Sequence, residues 1–274
     1  MHKILVPTDF SPASQVALAY GQQLASQMEA ELVVFHAYHY TQGDAMFAPT
    51  EVLAELNSEP REAAVRLLAA LTEEFYQGKH LKVKQVVQEG FADELILEIA
   101  KEEEPTFIIM GTHGIGGIAA KLLGSVTTTV MLHGQFPVIA VPPEYEPHPV
   151  GDIVFATDLV SRPVKAMHQL AIWSRLLGAS LRAMHVKVPN QPEAVSLQED
   201  ETYLAGMEFD KIPLDVIAAP TVAKGLQQVV DNQLVDLLAV LPHEHPFWEG
   251  LFHQSVTKYL SQHARIPILC LRDQ

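Results

Sequence analysis

The sequence holds a single cysteine, Cys270, so no disulfide can close within the chain. It has no apolar run near the roughly 20 residues that a bilayer crossing requires. It also lacks a basic excess: 18 Lys and Arg stand against 33 Asp and Glu, a formal charge of −15. A surface of that sign repels nucleic-acid phosphates on average, so DNA and RNA are not expected partners. The opening MHKILVP has one lysine and a short apolar run before Thr8-Asp9 turns polar, too little for an export signal. These absences lead to the expectation of a cytoplasmic protein without a membrane span. The composition, 48% hydrophobic and 19% charged over 274 residues, is that of ordinary globular material sufficient for one large domain or two of usual size.

The chain reads as one unit written twice. Residues 3–9 (KILVPTD) match residues 152–158 (DIVFATD), and residues 32–36 (LVVFH) match 181–185 (LRAMH), both pairs 149 residues apart. Later, residues 124–127 (GSVT) match 254–257 (QSVT), and 136–141 (FPVIAV) match 266–271 (IPILCL), now 130 apart. The first copy therefore carries 19 extra residues, which fall between about 38 and 60, in a stretch whose Gly, Pro and polar residues read as an added loop with a partial helix. Residues 142–149 hold four prolines in eight, a semi-rigid linker between units at 1–143 and 150–274.

Within the first copy, strands are expected at 3–7, 31–38, 81–87, 106–111 and 137–141, and helices at 12–28, 61–76, 92–102 and 120–132. Val16, Ala17, Tyr20, Leu24 and Met28 recur at helical spacing, and Ser11-Pro12 is a cap followed by proline in the first turn. Short apolar strands alternating with amphipathic helices predict an α/β fold with a parallel sheet covered on both faces. Such sheets bind ligands beyond the carboxyl ends of their strands. Thr8-Asp9, His36-Ala37 and Gly111 all sit at such ends.

Residues 111–126 (GTHGIGGIAAKLLGSV) contain five glycines. No Gly-x-x-x-x-Gly-Lys-Ser/Thr order exists there, and a Gly-x-Gly-x-x-Gly starting at Gly114 would need glycine where Ala119 stands. What is present is Gly111-x-x-Gly114, nine residues, then Gly124-Ser125. With that spacing, and with Asp9 ending the first strand in VPTDFS, the chain resembles the ATP-binding branch of the universal stress protein family. The repeat resembles the family's tandem form. The resemblance implies two Rossmann-like doubly wound domains, each a five-stranded parallel sheet with helices on both faces, and ATP, with or without Mg²⁺, as ligand of the first. It implies Asp9 at the ribose, Ala37 offering backbone groups to adenine, and Gly111, Gly114, Gly124, Ser125 and Val126 at ribose and phosphates. Pro7, Thr8 and Met110 complete the pocket, with His113 either near the phosphates or facing solvent, like Lys121. Independently, glycines with positive φ let a backbone approach an anion, and a helix beginning near Gly124 would point its N–H groups and dipole at one.

In the second copy Gly111, Gly114, Gly117 and Gly124 become Leu241, Glu244, Phe247 and Gln254, so no nucleotide is expected there even though Asp158 and Ser255 persist. The replacement loop carries His243, His245 and His253 beside Glu244 and Glu249. Without cysteine this spacing is weak for zinc, and Phe247, Trp248, Leu251 and Phe252 favour a packed or partner-facing loop. No catalytic residue and no metal site is assigned. Phosphoryl transfer needs a metal site, a base and a charge-stabilising group together, and the glycine stretch supplies no second carboxylate or arginine. The expected function is an adenine-nucleotide-binding regulator of the stress response with an unknown protein partner. Alternatives are a weak ATPase or a nucleotide-independent interaction module. The runs ending at Val141 and Leu271 can pair within the chain, and homodimerisation is left open.

Overall fold

The computed structural model describes residues 2–38, 50–76, 81–112, 124–159, 164–189, 212–231, 235–241 and 265–272. Strands β1 (Lys3–Pro7), β2 (Glu31–Tyr38), β3 (Val83–Glu89), β4 (Phe107–Gly111) and β5 (Val138–Val141) alternate with helices α1 (Pro12–Met28), α2 (Thr50–Tyr76), α3 (Ala92–Glu103) and α4 (Ser125–His133). Strands β6 (Asp152–Thr157), β7 (Ser180–Lys187), β8 (Leu214–Ala218), β9 (Leu237–Val240) and β10 (Ile268–Cys270) follow, with α5 (Val164–Leu177) and α6 (Val222–Asp231) between them.

All ten strands join one sheet in the order β3-β2-β1-β4-β5-β10-β9-β6-β7-β8. The two halves repeat the same order outward from the centre, and every pairing is parallel except β5 with β10. That central pair sets Leu269 opposite Ile139 and Cys270 opposite Val138, the intrachain pairing that the repeat predicts. Side chains alternate across the sheet. Leu5, Phe35, Met110 and Cys270 lie under α3, α4 and α6, while Ile4, Val34, Ile109 and Leu269 lie under α1, α2 and α5. Each layer is continuous across the centre. Phe107 of β4, for instance, meets Trp173 of α5 with ring centroids 4.5 Å apart.

The local signals for α1 hold. Ser11 Oγ accepts from the Ser14 N–H, Pro12 opens the helix, and Glu29 closes it in the left-handed region at φ 51°. Helix α3 carries Asp93 and Glu94 in its first turn and Lys101 in its last, matching the helix dipole. Helix α2 begins at Thr50 and runs through Pro60, so the added segment contributes the partial helix expected of it, continuous with the helix expected at 61–76. Helix α4 spans Ser125–His133 with Gly124 as its N-cap, while residues 120–123 of the expected helix lie outside the described residues. The linker turns back on the sheet, with Tyr145 packed edge-on to Tyr20 and Gln27 of α1 bonded to both the N–H and the C=O of Val150.

Candidate functional site

The sheet order places a switch point between β1 and β4, because the chain winds outward through β2 and β3 from one and through β5 from the other. The carboxyl ends of β1, β2, β4 and β5 are level there: Pro7 lies opposite Phe35, and Gly111 opposite Val141. Pro7, Thr8, Asp9, Ala37, Met110 and Gly111 therefore gather on one rim. Gly124, Ser125 and Val126 join them, because the Gly124 N–H donates to the Thr112 carbonyl at 2.7 Å and Thr127 Oγ1 donates to the Gly111 carbonyl at 2.9 Å. These two bonds fasten the start of α4 to the end of β4. His113, Gly114 and Lys121 lie outside the described residues, as do the second copy's loop from 242 to 264 and most of the added segment before α2.

The rim is built from local chemistry. Thr8 Oγ1 accepts from the Phe10 N–H at 3.1 Å, and Asp9 Oδ1 accepts from the Ser11 N–H at 3.0 Å. The Asp9 carboxylate is thus fixed at the mouth by the turn that starts α1. Phe10 takes φ 63°, rare for a bulky residue, and its ring stacks on His36 with centroids 4.4 Å apart. His36 Nδ1 sits 2.7 Å from the Thr8 carbonyl, which ends the β1–β2 ladder. One residue on, strand alternation turns the N–H and C=O of Ala37 toward the β1 side, past the last rung of that ladder.

Neither described motif glycine uses positive φ, so that reason for their presence is corrected. Gly111 ends β4 beneath the first turn of α1: a Cβ there would lie 2.7 Å from the Ala13 carbonyl oxygen. Gly124 has φ −58° and ψ 146° and caps α4 without any side-chain bond to the helix N–H groups. Among the described residues, a Cβ on Gly124 would come no closer than 3.5 Å to a neighbour. The first N–H groups of α4 receive no capping side chain, Ser125 is exposed beside them, and the helix dipole adds partial positive charge. Backbone donors, one fixed carboxylate and an apolar floor at Met110, which is 5% exposed, are the means to hold a polyanionic group joined to a flat apolar one. Among the described residues no group of three or more His, Cys, Asp or Glu is arranged to hold a metal ion.

The sequence reading missed the Thr8–His36–Phe10 bracket, although its signal lay in the repeat. The second copy rebuilds it at the same 149-residue spacing: His185 Nδ1 lies 3.0 Å from the Thr157 carbonyl, Thr157 Oγ1 accepts from the Leu159 N–H, and Leu159 has φ 61°. The bracket thus belongs to the unit itself. Where the first copy has Gly111, however, the second has Leu241, 4% exposed and packed in the core layer under α1, α2 and α5.

The comparisons with known proteins bear on family and fold. A universal stress protein of Methanocaldococcus jannaschii is 31% identical over 151 residues, which are 51% of this chain and 93% of that protein. One of Bacillus subtilis is 28% identical over 146 residues, 51% of this chain and 98% of that one. The crystal structure of a universal stress protein from Archaeoglobus fulgidus matches at a TM-score of 0.67, covering 98% of this chain and 95% of that one at 17% identity, a likeness of fold. The model of the universal stress protein family matches residues 1–142, a little over half of the chain, and with the switch-point rim just described it shows that the chain belongs to that family.

Proposed function

We propose that the chain is a tandem universal stress protein that binds one adenine nucleotide, ATP in the first instance, in a unit spanning residues 1–143. The unit at 150–274 is a degenerate copy without a nucleotide. The observation that carries this reading is the pairing of an α4 N-terminus that no described side chain caps with Gly124 as its N-cap, where an added Cβ would find no described neighbour closer than 3.5 Å. An N-cap without a side chain leaves the first N–H groups of α4 open to a ligand's approach. Gly124, Ser125 and Val126 would take phosphate, with Gly114 and His113 beside them by sequence. Asp9, behind Pro7 and Thr8, would meet the ribose, and the backbone of Ala37 and the floor at Met110 would take the base. Asp9 would also face any Mg²⁺ that arrives with the phosphates. Leu241 in place of glycine supports the silence of the second copy.

The reading is of binding rather than turnover: nucleotide occupancy would change the protein's fit to a partner in a stress response. No described helix is long and apolar enough to cross a membrane, and with a single cysteine the proposed setting is the cytoplasm. Protein purified without added nucleotide, denatured and analysed by chromatography and mass spectrometry should release about one equivalent of adenine nucleotide per chain. Release of two equivalents, or a wild-type protein that neither releases nor takes up nucleotide, overturns the proposal.

A further inference from the structure

We propose that the outer edge of β3 is a docking strand for an extended segment of another protein, one that presents an acidic and a basic residue as neighbours. Among the described residues strand β3 is the last strand of the sheet on its side, so one row of its backbone groups has no described strand beside it. The row can be identified. Lys82 O accepts from the Leu32 N–H at 2.9 Å, and the Gly90 N–H donates to Tyr38 O at 3.1 Å, so the even-numbered residues are those that bond to β2. Val83, Gln85, Val87 and Glu89 therefore direct their N–H and C=O groups outward.

Exposed edges are normally blunted by proline, bulges or a projecting lysine. Strand β3 has no proline, and its lysine is drawn away: Lys84 donates to Glu103 on the α3 side, where Lys3 also binds at 2.9 Å. On the other face Gln85 Nε2 donates to Thr72 of α2 at 2.6 Å. The strand is thus held between two helices with its edge open. A groove of about 430 Å³ runs along residues 84–88, walled by Arg61 and Val65 of α2 on one face and by Glu102 and Glu103 of α3 on the other.

The walls identify the occupant. Both helices overhang the strand, so a second copy approaching edge to edge would bring its own helices against them, whereas a single extended segment fits between. Such a segment gains main-chain bonds from the edge and specificity from the walls. Successive residues of a strand point to opposite faces. Glu103 is neutralised by two lysines, which leaves Arg61 to attract an acidic side chain on the α2 face and Glu102 to attract a basic one on the α3 face.

The test is selection of phage-displayed linear heptapeptides against the full chain, followed by fluorescence polarisation with the enriched peptides made synthetically. Val87→Pro removes an outward N–H while leaving the bonds to β2, and Arg61→Glu reverses one wall. Enriched peptides should carry neighbouring acidic and basic residues and bind Val87→Pro at least about tenfold more weakly. Selection on Arg61→Glu should replace the acidic residue by Lys or Arg. No enrichment, or equal binding to Val87→Pro, overturns the proposal, as does concentration-dependent self-association that Val87→Pro abolishes. Should Val87→Pro fail to fold, the Arg61→Glu selection decides: an unchanged acidic preference rejects the docking strand.

Discussion

Alanine at Gly111 and alanine at Gly124 should behave as opposites, though both positions belong to one motif. At Gly111 the new Cβ would lie 2.7 Å from the carbonyl oxygen and 2.8 Å from the carbonyl carbon of Ala13. Those are backbone atoms of the first turn of α1, a helix pinned by ten buried residues. The helix must move by several tenths of an ångström against a close-packed core, a distortion that costs about 1–3 kcal/mol. At Gly124 the nearest atom among the described residues is at 3.5 Å and the backbone is in a region open to any residue. Lost freedom in the unfolded chain favours alanine there by about 0.4–1 kcal/mol, and its poorer capping offsets this by a similar amount, so the net change is near zero. Urea unfolding followed by circular dichroism reads both variants. The midpoint should fall for Gly111→Ala at an unchanged slope and stay within error for Gly124→Ala. Equal losses in the two variants, or an unaffected Gly111→Ala, would show that the steric assignment of the motif is wrong.

Other expectations follow from particular contacts. Hydrogen bonds from Lys84 and then Lys3 hold the Glu103 carboxyl below its ordinary range, so its contribution is present above about pH 4.3 and fades as acid protonates it. Glu103→Gln should therefore cost about 1–2 kcal/mol at neutral pH, with the gap to wild type closing in acid melts. Burial pushes the Cys270 thiol up to about 12, so a thiol reagent such as Ellman's should leave it unmodified until the chain unfolds. Leu269, fully buried opposite Ile139, sits at the centre of the sheet. Leu269→Ala should cost about 2–5 kcal/mol and lower a single cooperative transition, whereas two separated transitions in calorimetry would mean that the halves unfold independently.

Much of the fold could be read from the chain because its signals are short-ranged or repeated. The bounds of α1 and β2 follow from Ser11-Pro12 and from an unbroken apolar run, and the structure returns both unchanged. The two sequence offsets reappear as two halves with the same strand order. Where expectation and structure part, a tertiary contact intervenes. The N-cap of α4 is tied through the Gly124 N–H to the Thr112 carbonyl, a bond that the helical pattern of 120–132 does not reveal. Strand β3, expected at 81–87, is shifted to Val83–Glu89 by its register with β2. The left-handed backbone at Phe10 and Leu159 has no local cue, since neither is glycine or asparagine; each is held by the Thr-to-His bracket across two strands. Gly111 was legible as required, but the reason, contact with Ala13, is visible only in three dimensions.

Calorimetric titration of ATP into nucleotide-free wild type and into Gly124→Val tests the central claim most directly, because the altered residue lies at the rim as the N-cap of α4. The account predicts one site per chain in the wild type and at least about a tenfold loss of affinity in a variant that still unfolds in one cooperative urea transition. Two sites in the wild type, or one site that Gly124→Val leaves intact, would contradict it.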